Sequence, residues 1–311
     1  MRKLTLLAFI ACTAAHAQQV PQYTQYVLNI FAINPAVAGS KDCIDVHLGY
    51  RQQWVGFPGA PVTGWATISG TIGPKRRTFH ANRQGIGAFV QSDATGPLGQ
   101  TTFQLAYAYH VQMKRDVFLS LGMFAGVTQE RLSLGLVNAT DNNDPALLNS
   151  SSVLVYPEIT PGLWLYSKTT WAGLSIQQAL GNRIKGLGTD GRLTRHFDLT
   201  LGHRYRVSRH FDAVPSGLLK LSPGSPVALD LGVMMEYKKQ FALGVSYRNQ
   251  DAVAFMLKVP FLKYFSLGYS YDVTTSNLRV GGANTHEVVL SIYPCPPLDP
   301  SKAIVRCPIF Q

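Results

Sequence analysis

The sequence predicts an all-β chain, folded as a transmembrane antiparallel up-and-down β-barrel of about fourteen strands. Three observations predict it. From Ile44 onward apolar and polar residues alternate with period two, which sends every second side chain to one face of an extended strand. The connections between those strands alternate between long and short, as in outer-membrane barrels, which have short periplasmic turns and long external loops. Charged residues are only 14% of the chain, yet no apolar run approaches the roughly 20 residues of a spanning helix, so any membrane crossing must use strands.

Taken in order, residues 1–17 read as a signal peptide. Arg2 and Lys3 precede the apolar run Leu4 to Ala11, and Ala15-His16-Ala17 supplies small residues at the cleavage positions. A lipid-modified Cys12 would need a Leu-like residue where Phe9 stands, so the cut is expected before Gln18. Residues 18–41 are neither strand-like nor disordered in composition. Aromatic and amide residues interleave in Gln22-Tyr23-Thr24-Gln25-Tyr26, Asn34-Pro35 starts a turn and Gly39 ends it. Two roles fit this segment: a plug that satisfies the pore lining, or a docking element for a periplasmic partner.

Residues 42–293 carry the barrel. In Thr101 to Gln112, Phe103, Leu105, Tyr107, Tyr109 and Val111 form a lipid face, opposed by Gln104, Ala106, Ala108, His110 and Gln112. Val117 to Thr128 repeats the pattern, although Phe118 and Phe124 break its polar side. In the later strands Asp198, Arg204, Arg206, Asp230, Glu236 and Lys238 keep to one face, which argues for a polar interior. The remaining strands are expected near 44–53, 64–73, 85–92, 157–166, 171–178, 217–222, 241–248, 252–259, 264–273 and 287–293. Trp54, Trp65, Trp164, Trp171, Tyr237 and Tyr293 fall at strand ends, where interfacial girdles are expected. With the N-terminus periplasmic, Gln129 to Tyr156, Gln178 to Arg195 and Thr274 to Thr285 fall outside, whereas Met113 to Asp116, Ser167 to Thr170 and Lys239-Gln240 fall inside. Pro74 to Arg83 and Asn249 to Asp251 depart from this alternation.

Residues 294–311 form a Pro-rich tail. Export suits the cysteines, and Cys295 with Cys307 is the favoured disulfide. Cys43 is then either an odd thiol at a strand start or paired with one of the tail cysteines instead.

The net charge of +11 becomes +11 − 2 = +9 once Arg2 and Lys3 are removed. Its clusters, Lys75-Arg76-Arg77, Arg192 with Arg195, and Lys238-Lys239, suit solvated turns, anionic headgroups or an acidic partner. An exported chain with no helix to enter a groove does not point to nucleic acid. Gly186 to Gly191 matches a dinucleotide-binding spacing, but lacks the strand and helix that would make it a phosphate cradle. His47, His80, His110, His196, His203, His210 and His286 show no metal-ligand spacing, and no nucleophile, base and orienting residue can be grouped. No catalytic residue, metal or cofactor is therefore expected.

Several short stretches in fixed order resemble the PorP/SprF family of Bacteroidota. They are residues 22–26, Asn34-Pro35-Ala36 with Ala38-Gly39, Tyr50-Arg51-Gln52-Gln53-Trp54 and Gly59-Ala60-Pro61-Val62-Thr63. Gly85-Ile86-Gly87, Ser270-Tyr271-Asp272, Thr285-His286-Glu287 and Cys307-Pro308-Ile309-Phe310 extend the resemblance through the mature chain, while Val37 stands where the family often has an aromatic. The resemblance implies a non-enzymatic outer-membrane component of the type IX secretion system, linked to gliding motility or surface adhesins. Its expected partners are outer-membrane lipid, periplasmic ring or peptidoglycan-binding components, or the C-terminal domain of a cognate secreted adhesin. Both termini are expected on the periplasmic side. Gln22, Tyr23, Gln25, Tyr26, Asn34, Pro35, Gly39, Arg51, Trp54 and Pro61 are the candidate partner-docking residues. The alternative is a channel for hydrophobic small molecules, like the fatty-acid porins that also carry Asn-Pro-Ala near the N-terminus.

Overall fold

The structure, a computed structural model, describes residues 20–41, 43–72, 82–114, 116–133, 153–184, 191–238, 240–262, 264–276 and 284–294. Among them fourteen strands close into one antiparallel barrel. They are β1 (Asp45–Gln52), β2 (Val62–Ile72), β3 (Arg83–Thr95), β4 (Leu98–Lys114), β5 (Val117–Leu132), β6 (Val153–Tyr166) and β7 (Thr170–Gln177). The second half comprises β8 (His196–His203), β9 (Phe211–Leu221), β10 (Ala228–Tyr237), β11 (Phe241–Arg248), β12 (Ala252–Phe261), β13 (Phe265–Thr274) and β14 (Thr285–Ile292). Each pairs with its neighbour in sequence, and β1 meets β14 from Val46↔Ile292 to Gln52↔His286. That last pairing leaves no free edge, which matters because an unpaired backbone group in lipid costs several kcal/mol. No helix of the described residues is long and apolar enough to cross a membrane.

Burial is inverted relative to a water-soluble fold. Phe103, Leu105, Tyr107 and Tyr109 of β4 point outward and are exposed, while Gln104, Ala106, Ala108 and His110 are buried. The same holds for Phe241, Leu243, Val245 and Tyr247 of β11, set against buried Ala242, Ser246 and Arg248. The greasy face thus points to acyl chains and the polar face to the lumen. At 17 and 16 residues, β4 and β5 exceed the about 9 to 11 needed to cross the hydrocarbon layer, so they project beyond it. They meet β3 and one another closely enough that the third connection, expected to be long, is a two-residue turn at Gly96-Pro97.

One end of the barrel carries the turns at 115–116, 167–169, 238–240 and 262–264 and the start of β1; this is the turn end. At the opposite, loop end β5 ends and β6 begins, β7 ends and β8 begins, and β13 ends and β14 begins. Two features differ from the sequence expectation. Pro157, expected to open its strand, lies within β6, as does Pro161. The β6–β7 ladder runs only from Gly162↔Ser175 to Tyr166↔Trp171, so the proline-bearing part of β6 forfeits no donor to β7.

The girdle assignment fails for three tryptophans. Trp65, Trp164 and Trp171 are buried on the lumen side, each lying over the glycine opposite it: Gly49, Gly173 and Gly202. A wall glycine leaves a notch that an indole fills, and this stabilises more than an interfacial perch. Tyr237 is exposed on the lipid side as expected, and Trp54 and Tyr293 are half-buried.

Candidate functional site

The lumen is filled by the chain's own N-terminal segment. Residues Tyr23 to Ser40 are buried almost throughout and fold as three 3-10 turns, Tyr26–Leu28, Ile30–Ala32 and Pro35–Val37. Irregular backbone at membrane depth is tolerated when the wall satisfies its polar groups. Asn34 shows how: its side chain accepts the Ala36 N–H at 3.0 Å and caps the Pro35 turn, while Nδ2 donates to the carbonyls of Leu163 at 3.0 Å and Leu174 at 3.3 Å. Ser175 donates to the Ile33 carbonyl at 2.7 Å, and Nε2 of His110 lies 2.7 Å from the Ala38 carbonyl.

The apolar side of this plug explains Phe124, one of the two phenylalanines that break the polar face of β5. Phe31 packs on Phe124 at 5.1 Å between ring centroids, and Phe124 on Phe89 at 5.8 Å. Phe118 stacks on Tyr166 at 5.5 Å, under the Arg83 guanidinium at 4.5 Å. Close approach of backbone to wall requires glycine at Gly85 and Gly122. A Cβ at Gly85 would sit 2.0 Å from the Ala38 carbonyl oxygen, and one at Gly122 would sit 2.5 Å from the Ala36 Cα. Gly39, with φ +72°, turns the chain out of the lumen beside Gly85.

The plug descends from the loop-end half, at Tyr23 and Thr24, to the turn end at Gly39. Its upper part is held by a buried ionic latch. Arg51 of β1 donates to the Thr24 hydroxyl at 2.6 Å, to Glu287 of β14 at 3.0 Å and to Asp272 of β13 at 3.1 Å. Glu287 in turn accepts the backbone N–H groups of Thr24 at 2.8 Å and Gln25 at 2.9 Å, and Gln25 Nε2 donates to its carbonyl at 3.0 Å. Thr24 donates its hydroxyl proton to Asp272 at 2.5 Å. Arg248 of β11 completes the cluster, donating to Asp230 at 2.8 Å, to Asp251 at 3.1 Å and to Thr24 at 3.3 Å. Side chains of Arg51, Asp272 and Glu287 are at most 2% exposed, so each charge depends on its partners instead of on water.

The sequence stretches that suggested a family resemblance meet here. Thr24-Gln25, Arg51, Asp272 and Glu287 come from four of them and form one contact network. Ala38-Gly39 meets Gly85 at the lower part of the plug, and a Cβ at Gly87 would press on Phe31. Of the candidate docking residues, Tyr23, Gln25, Tyr26, Asn34, Pro35, Gly39, Arg51 and Pro61 are buried, and Gln22 and Trp54 are half-buried. Tyr23 donates its hydroxyl to Gln91, and Tyr26 donates to Ser216 at 3.3 Å. The Trp54 N–H donates to Thr285 at 3.2 Å, and the Pro61 carbonyl accepts from the Gln53 N–H. With the plug seated, their contacts are internal. Sequence reasoning did not single out Thr24, Arg248, Asp230, Asp272 or Glu287 for a site; the available signal was a charge at the lumen-facing, loop-end position of each strand.

Beside the plug a hollow of about 40 Å³ is lined by Tyr23, Ile33, Phe89, Gln91, Phe124 and Glu158, among others. A cavity of about 150 Å³ is needed to hold benzene, so this one takes water at most. Cys43, just ahead of β1, is disulfide-bonded to a cysteine outside the described residues. Cys295, Cys307, residues 1–17, Lys75-Arg76-Arg77 and Lys239 also lie outside them.

Among solved structures, the chain is similar to the Ralstonia pickettii toluene transporter TbuX, with 12% identity, 86% of this chain and 92% of that one covered, and a TM-score of 0.50. It is equally similar to the Pseudomonas putida toluene transporter TodX, with 12% identity, 85% and 93% covered, and a TM-score of 0.50. Identity this low shows a shared barrel fold and nothing about cargo. No curated protein matches the sequence. The family model for the type IX secretion system membrane protein PorP/SprF matches residues 15–292. With nearly its whole length matched and its barrel closed around a plug fixed by the same sequence stretches, the chain belongs to the PorP/SprF family of type IX secretion system membrane proteins.

Proposed function

We propose that the protein is a non-enzymatic platform in the outer membrane, which docks periplasmic components of the type IX system or anchors one secreted surface protein. The observation that carries this reading is the latched plug. A barrel whose lumen is occupied by eighteen or so residues, held through Arg51, Glu287 and Asp272, offers surfaces to partners rather than a path to solutes. The turn end, where β1 starts, faces the periplasm in this reading, and the loop end faces outward. Docking then falls to the rims, because the N-terminal stretches are spent on wall contacts.

Crosslinking in native outer membranes followed by mass spectrometry tests it. Ring or peptidoglycan-binding proteins, or one large surface protein, should be recovered with the barrel. Recovery of neither class removes the proposal.

A further inference from the structure

At the turn end, two neighbouring connections border an open surface hollow of about 270 Å³ lined by Arg206, Arg209, His210, Asp212 and Lys238. Arg206 belongs to a two-residue strand, Tyr205–Arg206, that pairs with Asp212 and Ala213 at the start of β9. Lys238 follows β10 with φ +49°, and its N–H donates to the His210 carbonyl at 2.7 Å, tying the two connections together. Ser208 accepts the N–H groups of His210 and Phe211 at 3.2 Å, which fixes the intervening turn. The cationic side chains are therefore mounted on braced backbone.

The charge in this hollow is unbalanced. Asp212 is its one carboxylate, and it is already engaged from the lumen side by Arg204 at 3.2 Å, with Arg206 at 3.6 Å. Arg204 is itself shared with Glu236. The Arg206 side chain is 72% exposed, so its charge is presented to the hollow and solvent and is not consumed by the pair. Arg206, Arg209 and Lys238 thus leave a local excess of positive charge. Around the same rim Tyr205, Val207, Phe211, Tyr237 and Phe241 are exposed on the lipid-facing side, and Lys238 Nζ lies 5.2 Å from the Tyr237 ring centroid. Lys238, which lines the hollow and reaches the Tyr237 ring, joins this rim charge to the membrane-facing aromatics, and the combination suits an amphiphile with a phosphate at one end and acyl chains at the other.

We propose that this hollow binds the phosphate headgroup of a glycerophospholipid in the leaflet at the turn end, with its acyl chains along Phe211, Tyr237 and Phe241. An acidic protein would not need the aromatic belt, and a free anion would not use it. The choice of leaflet rests on the turn end being periplasmic, as in the functional reading above.

Native mass spectrometry of the intact, delipidated barrel in mild detergent tests this. Phosphatidylglycerol, diacylglycerol, lipid A and inorganic phosphate are added separately to the wild type and to the R206A/R209A/K238A variant. The wild type should retain one phosphatidylglycerol, and the variant should lose roughly a hundredfold in apparent affinity. R206K/R209K should retain most of it, and heat-modifiable gel migration should be unchanged in both variants. Equal retention by wild type and triple variant, equal retention of diacylglycerol, or saturation by inorganic phosphate at the same concentration would each overturn the site. Preference for lipid A would place this rim in the outer leaflet and overturn both the leaflet assignment and the proposed ligand. Because no partner protein enters the measurement, its failure leaves the crosslinking result to decide the docking function separately.

Discussion

Glu287 illustrates how one residue can join two parts of a chain far apart in sequence. It holds Arg51 across the closing seam and accepts the backbone of Thr24 and Gln25, so it serves the wall and the plug together. Removing one partner of a buried ion pair costs about 3–5 kcal/mol, because the survivor keeps its desolvation cost and loses its compensation. Glu287→Gln should fall near the lower end, about 3 kcal/mol, since Asp272 still accepts from Arg51 and the amide oxygen can still accept an N–H. The heat-modifiable transition in detergent should drop measurably, with the N-terminal segment becoming open to protease at lower temperature. An unchanged transition would mean that the latch contributes little. This residue scale was the least legible in the sequence. Charges on the polar faces of strands were visible, but which of them meet depends on contacts spanning most of the chain, and no periodicity encodes that. The same limit explains the tryptophans: Trp65, Trp164 and Trp171 look like strand-end aromatics until the glycine opposite each is known from the register.

At the scale of strands, alternation was enough to assign faces. Phe103, Leu105, Tyr107 and Tyr109 were read as lipid-facing and are exposed, because a period of two allows only one partition of a strand. Phe118 and Phe124 were visible as breaks in the pattern; Phe124 meets the apolar flank of the plug at Phe31, and Phe118 stacks on Tyr166 within the wall. Strand ends were less legible, because prolines such as Pro157 read as boundaries although an unpaired ladder side accepts them. The seam gives a prediction of its own. Val46 pairs with Ile292, Cys43 stands three positions before the one and Cys295 three after the other in the sequence, and Cys43 is disulfide-bonded. Peptide mapping without reduction should therefore recover Cys43 joined to Cys295. A Cys295–Cys307 peptide, with Cys43 in neither, refutes this pairing.

For the whole molecule, the fold class was legible because lipid outside, polar lumen inside and full backbone pairing together permit few architectures. The plug itself was half legible: composition marked residues 18–41 as ordered, but their position in the lumen follows from glycine gaps in the wall at Gly85 and Gly122. Reconstituted in liposomes, the wild type should not pass small polar solutes. Gly85→Val, which drives side-chain atoms into the Ala38 carbonyl, should unseat the lower plug and give flux, whereas Gly64→Ala, with nothing within 4 Å of the added methyl, should stay tight. Flux through the wild type would instead favour the channel alternative.

The ionic latch draws one of its carboxylates from β14, the stretch that leaves the ribosome after every other strand. A polypeptide cut short before that stretch can neither zip shut nor cork itself. Closing the wall and seating the cork thus hang on one strand, and loss of its carboxylate would loosen both.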